Sequence, residues 1–489
     1  MITLLLACQI QPPKQQSSEN TDSSLTDDSP SDSTQDSSPD TDSDDTTTAM
    51  GRTVLLLTID TLNRDFVHTS INGEAITPEL DQLFSDSAYF PNTLATRGQT
   101  SPSLASILTG LYPRTTMVRS NPRVLEADFL TLPQRFQAAG YTTIGYSANF
   151  CHYINMGIDE RRCVHPDEEP DLEQAVADAL LVDELMSTLD QQDPNADLFI
   201  WLHLMDPHDP YRLTEPYFSL FHPDEYNGPL QTDTDVNLNA LNNATFGQST
   251  LDEADMTYFN AIYASQVRKT DDHVKTVLDK LKSLDRYSDS IIVFGSDHGE
   301  ALGSHNNYFY HGCSAFNSVA GVHWSFKAPN VSAQDYPGWI STTDVAPTLI
   351  SLAGIEWSGP LEGRNLAAGL LDGNLTYEPV FVERGTETAG VIFQQNKYIL
   401  STQDEFAQCT PYNQVPYGFA SPREQVFDLN SDPNEQSNLY QQAPNLRAQG
   451  QSILCNWITS STWTTPDNDL THPMVQRCIT LLEQLEPPE

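Results

Sequence analysis

A cluster of hydroxyl side chains stands where a helix is predicted to begin, in the segment Thr100-Ser-Pro-Ser-Leu-Ala-Ser-Ile-Leu-Thr-Gly-Leu-Tyr-Pro113. At a helix start, free backbone N–H groups and the positive end of the helix dipole favour a developing anion. A hydroxyl at this place can act as a nucleophile, and Thr100 is the candidate. The alternative is that Thr100 only caps the helix, because threonine is a preferred N-cap residue.

Two apolar runs of strand length end in groups that bind metal ions. The run Thr53-Val-Leu-Leu-Leu-Thr-Ile-Asp60 ends in a carboxylate, and the run from Ser290 to Asp297 is followed at once by His298. Ligand sites in parallel sheets form outside the carboxyl ends of the strands, so these side chains are expected to lie together. Oxygen and imidazole ligands of this kind suit zinc or a harder divalent ion.

A third segment, His203-Leu-Met-Asp-Pro-His-Asp-Pro-Tyr211, leads from another apolar strand into a loop. It carries two imidazoles, His203 and His208, and two carboxylates, one of which is Asp206. Imidazole and carboxylate groups serve both as metal ligands and as proton donors or acceptors in catalysis. The loop is therefore a second source of candidate site residues.

The elements that must position these side chains alternate along the chain. Apolar runs of strand length are separated by stretches of helical periodicity, which predicts an α/β fold with a mainly parallel sheet covered by helices on both faces. After a capped helix at 342–354, shorter strands and turns predict a smaller C-terminal α+β subdomain. The predicted strands are 53–60, 141–146, 198–203 and 290–297, and the predicted helices are 78–84, 103–111, 172–189 and 251–284.

Taken together, these residues resemble the sulfatase family of the alkaline phosphatase superfamily. The resemblance extends from residue 53 to about residue 440, and it implies an alkaline phosphatase-like fold and an ester hydrolase that acts on a sulfate or phosphate ester. The motifs that carry it are Thr58-Ile-Asp-Thr-Leu62, the segment 77–83, the Thr100 segment, the loop from His203 to Tyr211, Asp297-His-Gly-Glu300, the helix around Asp344 and the segment 425–439.

The sequence departs from the family pattern at the nucleophile. Active sulfatases carry a cysteine, matured to formylglycine, in the motif Cys-x-Pro-Ser-Arg, and the matching residues here are Thr100-Ser-Pro-Ser-Leu104. The family has two aspartates after the first strand, and the matching residues here are Asp60 and Thr61. Where the family has a lysine after the Asp-His pair, this sequence has Tyr310. Threonine is the metal-bound nucleophile in sister families such as the nucleotide pyrophosphatase/phosphodiesterases. The resemblance therefore implies attack by Thr100 and favours phosphoryl transfer.

The resemblance also implies a divalent metal ion, Zn, Mn or Ca, as the cofactor. Its ligands are expected to be Asp60, Thr100, Asp297 and His298.

Two readings remain open for the other polar side chains of the motifs. His208 and His311 either contact the ester as catalytic residues or, with Asp206, hold a second ion. His203 and His305 either orient a ligand or have a structural role. Glu300 is interpreted as a helix-start carboxylate without a chemical function.

Composition limits the partners of the protein. The 489 residues carry a formal net charge of −43, which excludes nucleic acid because binding it requires a basic surface. We expect a small-molecule, glycan or lipid ester as substrate. The segment 217–249 is polar and longer than an ordinary connection, so it is predicted to be an insertion near the entrance of the site.

The N-terminal region predicts export. Leu5-Leu6-Ala7-Cys8 resembles a bacterial lipobox, so residues 1–8 are interpreted as a signal remnant with a lipid anchor on Cys8. Residues 9–50, rich in Ser and Asp, are predicted to form a disordered tether. No apolar run approaches the ~20 residues of a membrane helix. The expected location is the cell envelope or the extracellular space of a bacterium, with contact to the outer membrane surface only through this anchor.

Six cysteines remain when Cys8 is set aside, and in an exported protein they are interpreted as disulfides. Proximity in sequence favours two short loops. The predicted pairs are Cys151 with Cys163, Cys455 with Cys478, and Cys313 with Cys409.

These observations divide the chain into a catalytic domain at 51–376 and a C-terminal subdomain at 377–489. The leading hypothesis is a metal-dependent ester hydrolase with Thr100 as its nucleophile. One alternative is a phosphoryl-group transferase on the same fold, and another is a catalytically inactive binding protein at the cell surface. The intact set of Asp60, Asp297 and His298 argues against the inactive protein.

Overall fold

A computed structural model of the protein describes residues 50–149, 151–164, 174–222, 225–232, 235–308, 311–312, 314–402, 423–459 and 472–485. Apart from Met50, the segments 1–8 and 9–50 lie outside these ranges, as do Tyr310, Cys313 and Cys409. The predictions made for them therefore stay predictions.

The described strands form one large sheet, one C-terminal sheet and a small two-stranded ribbon. In chain order the strands are β1 (Thr53–Ile59), β2 (Ser70–Ile71), β3 (Glu74–Ala75), β4 (Ala88–Leu94), β5 (Thr142–Ser147), β6 (Glu160–Cys163), β7 (Leu198–Leu204), β8 (Ile291–Ser296), β9 (Gly321–Lys327), β10 (Gln334–Asp335), β11 (Ile340–Ser341), β12 (Val380–Arg384), β13 (Thr388–Phe393), β14 (Asn396–Ser401) and β15 (Glu424–Asp428).

The large sheet has nine strands in the order β10-β4-β9-β8-β1-β7-β5-β6, with β11 beside β4. All neighbouring pairs are parallel except those made by β9, which runs antiparallel to β4 and to β8. The mainly parallel α/β sheet predicted from the sequence is confirmed, and the antiparallel β9 is the feature that the alternation of strands and helices did not indicate.

Helices cover both faces of this sheet. The described helices of the chain are α1 (Pro78–Ser85), α2 (Thr100–Thr109), α3 (Pro113–Thr116), α4 (Leu132–Ala138), α5 (Cys151–Ile154), α6 (Gln174–Leu189), α7 (Tyr217–Phe221), α8 (Leu238–Thr245), α9 (Glu253–Ser283), α10 (Asn317–Ala320), α11 (Val345–Leu352), α12 (Ala367–Asp372), α13 (Pro444–Thr459) and α14 (Pro473–Leu485), with 3₁₀ turns at Arg64–Phe66, Ser304–Asn306 and Thr342–Asp344. Of these, α13 and α14 pack on the C-terminal sheet.

The side chains of β1 show how the two faces are filled. Leu55, Leu57 and Ile59 belong to one buried cluster, whereas Val54 and Leu56 belong to another on the opposite face. Side chains alternate between the faces of a strand, so a strand buried on both sides reads as one continuous apolar run. This is the physical reason that the run could be identified in the sequence.

The segment 217–249 folds into α7 and α8 and packs on α9 through buried side chains such as Phe221 and Leu241. It also reaches the loop that follows β8, because the Tyr308 N–H donates to Thr245 Oγ1 at 3.2 Å. No helix among the described residues is long and apolar enough to cross a membrane.

The C-terminal region contains the separate antiparallel sheet β12-β13-β14-β15. One of its faces packs on α13 and α14, and the other packs against side chains of the large-sheet region such as Phe316 and Trp339. A buried ion pair between Lys397 Nζ and Glu435 Oε1, at 2.7 Å, adds to this contact because Lys397 also donates to Asn317 Oδ1. The smaller sheet is thereby joined closely to the loops beside the large sheet.

Two of the three predicted disulfides are confirmed. Cys151 and Cys163 are bonded across 12 residues, and Cys455 and Cys478 are bonded across 23 residues, where they join α13 to α14. The third predicted pair, Cys313 with Cys409, lies outside the described residues.

Replacing Cys455 and Cys478 together by alanine is expected to lower the free energy of unfolding by about 3 kcal/mol, because the bond constrains a loop of this length in the unfolded chain. Denaturant titration of the variant and the wild-type protein measures the difference. The wild-type protein in the presence of a thiol reductant serves as the control and should lose stability too. Equal stability of the wild-type protein with and without reductant would contradict the assignment.

Candidate active site

Two carboxylates lie side by side beyond the carboxyl ends of β1 and β8. These strands are parallel neighbours with Ile59 opposite Ser296, so the next residues, Asp60 and Asp297, emerge at the same level. Both side chains are fully buried, and Asp60 Oδ1 and Asp297 Oδ2 have no hydrogen-bond partner. Burying such oxygens is costly unless a cation or donor compensates them. The two carboxylates together therefore favour the binding of a cation.

His298 completes this group. Its Nδ1 lies 2.9 Å from the carbonyl oxygen of Gly299, which only accepts, so Nδ1 carries the proton and Nε2 keeps its lone pair. Nε2 lies 3.7 Å from Asp60 Oδ1 and 3.5 Å from Asp297 Oδ2. Burial, followed by the charge of His311, lowers the pKa of His298 to about 3. The neutral imidazole is the form that binds a metal ion.

The charges of the two carboxylates act on each other. Burial, followed by the charge of Asp60, holds the pKa of Asp297 well above its usual range. Burial alone would also raise the pKa of Asp60, but the nearby imidazole of His203 and the charges of His208 and His298 keep that pKa below its ordinary value. One ligand atom from each of Asp60, Asp297 and His298 lies within 4.8 Å of the others, so a single divalent ion could be held by all three.

The loop after β1 is held so that Asp60 and Asp297 stay in place. Thr61 adopts a left-handed conformation with φ of 54°, and its N–H donates to Asp297 Oδ1 at 3.3 Å. Tyr263 of α9 donates to the Thr61 carbonyl at 2.7 Å. An unfavoured backbone conformation at a non-glycine residue persists where surrounding contacts enforce it, and here those contacts aim a donor at a carboxylate.

His203 on β7 supports Asp60 from the other side. Its Nδ1 lies 2.9 Å from Thr58 Oγ1, and its Nε2 lies 3.7 Å from Asp60 Oδ2. Of the two readings left open by the sequence, this geometry favours the one in which His203 orients a ligand.

Thr100 is the first residue of α2 and is 1% exposed, and Gln99 occupies the N-cap position. The helix therefore begins three residues before the predicted start at Ser103. Thr100 Oγ1 donates to Asp60 Oδ2 at 3.2 Å and lies 3.3 Å from His298 Nε2. The hydroxyl is directed at the carboxylate group rather than at the backbone of its own helix, which disfavours the capping alternative.

The ring of His311 stacks on the ring of His298, with the two ring centres 4.7 Å apart. Its Nδ1 is 3.0 Å from Glu300 Oε2, which also accepts a hydrogen bond from the Tyr211 hydroxyl at 3.0 Å. Burial would lower the pKa of His311, but the charge and hydrogen bond of Glu300 raise it to about 9. The interpretation of Glu300 as a helix-start carboxylate without a function is wrong, because it lies in a loop, is fully buried and holds His311.

The structure does not bring Asp206 into a common group with His208 and His311. The His208 and His311 rings are 5.2 Å apart, whereas the Asp206 carboxylate pairs with Lys269 Nζ at 2.9 Å. In the described part of the chain, the one group of three or more ligand side chains within reach of a single ion is that of Asp60, Asp297 and His298. Lys269, on α9, neutralises Asp206 in place of a second ion.

His305 has a structural environment. Its ring stacks on Phe316 with centroids 3.7 Å apart, and its Nε2 lies 2.9 Å from the Glu435 carbonyl. Both neighbours belong to the contact with the C-terminal sheet. Of the two readings for His305, the structural one fits these contacts.

Sequence reasoning missed Tyr263 and Lys269, which both lie on the long helix α9. No motif surrounds them, since amphipathic helices contain many such side chains. By contrast, Tyr211 and Glu300 stood inside segments that the motifs had already marked.

A comparison with family models matches residues 52–355, more than half of the chain, to the sulfatase family. The chain belongs to the sulfatase family. Members of this family are metal-dependent ester hydrolases, and the protein is accordingly an enzyme that hydrolyses sulfuric or phosphoric esters. The buried group of Asp60, Asp297 and His298 offers the family's metal a site.

Relatives in this family include the multifunctional alkaline phosphatase superfamily protein PehA of Trinickia caryophylli, which is 24% identical over 79% of this chain and 91% of its own length. Among solved structures, an enzyme in complex with its substrate D-glucosamine-2-N,6-O-disulfate superposes with a TM-score of 0.66 at 17% identity, covering 86% of this chain and all of that one. The phosphonate monoester hydrolase of Agrobacterium radiobacter gives 0.62 at 19% identity, over 89% and 96% of the two chains. These structural matches establish the alkaline phosphatase-like fold.

Elemental analysis of the purified sulfatase-family protein is expected to find one divalent ion per chain, and Asp297→Asn is expected to lose it. The amide is a weaker ligand and leaves the site one negative charge short. Asp206→Asn is the matched control, because Asp206 is engaged by Lys269, and it should keep the ion. Full metal content in Asp297→Asn, or loss of the ion in Asp206→Asn alone, would contradict the site.

Proposed function

We propose that the protein hydrolyses a sulfate or phosphate ester in a reaction that depends on a divalent ion and uses Thr100 as the nucleophile. The observation that carries this proposal is the position of the Thr100 hydroxyl, 3.2 Å from Asp60 Oδ2 and 3.3 Å from His298 Nε2. By the resemblance of its segment to the sulfatase motif, we assign Thr100 to the formylglycine position. Thr100 begins a ten-residue helix whose first N–H groups favour an anion.

The residues that would hold the ion are Asp60, Asp297 and His298, with the Thr100 hydroxyl beside them. We propose Zn²⁺, Mn²⁺ or Ca²⁺, since the set mixes two carboxylates with one imidazole. When bound, such an ion supplies Lewis acidity that lowers the pKa of a hydroxyl and offsets the negative charge of the ester.

The protein's own groups account for the proton transfers. The Thr100 hydroxyl donates to Asp60 Oδ2, so this oxygen is the first acceptor of the proton when Oγ1 attacks phosphorus or sulfur. The bond from phosphorus or sulfur to the alcohol oxygen then breaks, and His311 Nε2 gives its proton to that oxygen. In the second step His311 takes a proton from water, and the water oxygen attacks the phosphorus or sulfur atom of the threonine ester. The bond from that atom to Oγ1 breaks, Oγ1 takes back the proton held on Asp60, and Thr100 is regenerated.

His311 suits this role because Glu300 fixes its ring. With Nδ1 directed at Glu300 Oε2, Nε2 is the nitrogen left to face the ester. The pKa of about 9 keeps the imidazole protonated at neutral pH, which is the form required of a general acid. His208, next to His311, is placed to donate to a non-bridging oxygen of the ester.

The chemistry of threonine favours phosphate over sulfate as the transferred group. A formylglycine diol can release sulfate by collapsing to the aldehyde, whereas a threonine ester must be opened by a second attack at the central atom. The relatives described above include a phosphonate monoester hydrolase and an enzyme that binds a sulfated glucosamine. We propose a small-molecule or glycan ester as the substrate of an exported, lipid-anchored protein.

Thr100→Ala is expected to lower kcat by about a thousandfold or more, because no other side chain can form the covalent ester. Thr100→Ser should retain measurable turnover since the hydroxyl survives. Ser103→Ala is the matched control: Ser103 lies on the same helix, and its hydroxyl donates to the Arg97 carbonyl rather than toward the carboxylates. The assay uses p-nitrophenyl phosphate, bis-p-nitrophenyl phosphate and p-nitrophenyl sulfate, each with Zn²⁺, Mn²⁺, Ca²⁺ or no added metal.

Near-normal turnover by Thr100→Ala on the best of these substrates would refute the nucleophile. Attack by water, assisted by His208, would then be the mechanism to test.

His311→Gln is expected to reduce kcat/KM by about 10²- to 10⁴-fold for aryl esters with poor leaving groups, and much less for p-nitrophenyl esters, whose leaving group needs little protonation. His305→Gln, in the same loop region, is the control and should show no dependence on the leaving group. A uniform loss across the leaving-group series in His311→Gln would contradict its role as the general acid.

A further inference from the structure

One arginine beside the nucleophile carries a buried donor without an acceptor. Arg97 is 7% exposed, and its Nε donates to Gln99 Oε1 at 2.9 Å, but Nη1 has no hydrogen-bond partner. A buried cationic donor left unpaired is costly, and proteins retain such groups where a ligand supplies the missing acceptor.

The charged groups that act on Arg97 are two arginines and two glutamates. Arg119 and Arg384 are close enough to act on it electrostatically, in a protein with 24 basic and 67 acidic residues. Burial, followed by the charge of Arg384, lowers the pKa of Arg97 to about 10, so the guanidinium remains charged at neutral pH.

The two acidic residues that act electrostatically on Arg97, Glu383 and Glu387, have other partners among the described residues. Glu383 receives hydrogen bonds from the backbone N–H and the Nε of Arg114, at 3.1 and 2.6 Å, and thereby uses both oxygens. Glu387 accepts from the Thr386 N–H at 3.1 Å. Neither carboxylate supplies the acceptor that Arg97 Nη1 lacks.

Arg97 lies close to the reaction centre. Arg97 precedes Thr100 by three residues, which limits the distance between their Cα atoms to roughly 10 Å. The Gln99 side chain, which holds Arg97, packs so closely on Gly312 that a Cβ there would lie 2.9 Å from Gln99 Cγ. Gly312 follows His311, the group that faces the departing alcohol in the proposed reaction.

We propose that Arg97 binds a second anionic group on the alcohol half of the substrate, so that the enzyme prefers esters of alcohols that carry a carboxylate, sulfate or phosphate. A guanidinium matches the planar, paired oxygens of such groups and binds them through charge-assisted hydrogen bonds. This inference rests on the proposed function for the location of the ester, and it deepens that proposal by naming the class of alcohol.

Calorimetric binding of two alcohols that differ only in charge, 4-hydroxybenzoate and 4-hydroxybenzamide, tests the site without requiring turnover. The wild-type protein is expected to bind the carboxylate at least about tenfold more tightly than the amide, because one hydrogen bond to a charged group contributes a difference of this size. Arg97→Met should reduce this ratio to below about 2. Arg97→Lys should give an intermediate ratio, because lysine keeps the positive charge but lacks the paired N–H donors of the guanidinium. Arg286→Met is the matched control, a buried arginine whose Nη1 and Nη2 already donate to backbone carbonyls, and it should keep the wild-type ratio.

Equal binding of the two alcohols by the wild-type protein would overturn the proposal on its own, whether or not Arg97→Met folds. An undiminished ratio in Arg97→Met or Arg97→Lys would overturn it as well. The phosphate and sulfate monoesters of the same alcohols are assayed in parallel. Absence of turnover on every ester would count against the proposed function, whereas the binding ratio decides the arginine site separately.

Discussion

Two carboxylates are buried side by side beyond the ends of β1 and β8, and neither has enough partners among the residues that the structure describes. Asp60 and Asp297 each keep one oxygen without a hydrogen bond, and their charges repel at short range. A buried pair of this kind is stable only when a cation or a proton compensates it. The imidazole of His298, kept neutral with its lone pair directed at both acids, adds a third ligand rather than a positive charge. The burial of the carboxylates therefore calls for compensation, and the three ligand atoms within reach of one another suit a cation.

The rest of the fold maintains this arrangement. The parallel register of β1 and β8 sets the two aspartates at one level, and large apolar clusters on both faces of the sheet prevent the strands from sliding. The left-handed turn at Thr61 aims a backbone donor at one acid, and His203 supports the other. The start of α2 then delivers Thr100 to the same point. The smaller sheet contributes through its buried pair of Lys397 and Glu435, which ties it to the loops beside the site.

Much of this could be read from the sequence because the informative signals are local. The apolar run before Asp60, the Asp297-His298 pair at a second strand end and the hydroxyl-rich helix start are each contiguous, and their order matched one family. What could not be read depends on contacts between distant segments. Glu300 holds His311, and Lys269 of α9 neutralises Asp206; both pairings are set by which side chains the packing buries together. The antiparallel β9 was missed for the same reason, since strand direction leaves no mark in the composition of a short apolar segment.

We propose that Thr100, which lies beside a cation site built from buried carboxylates, forms a covalent ester during turnover. The most direct test is to quench the reaction in acid during the steady state with the best ester substrate and to map the peptides by mass spectrometry. We expect one phosphoryl or sulfuryl group on Thr100, absent from Thr100→Ala and from unreacted protein. Rapid turnover without any modification of Thr100, under conditions that slow the second step, would show that Thr100 is not the nucleophile. Modification of another residue would show the same.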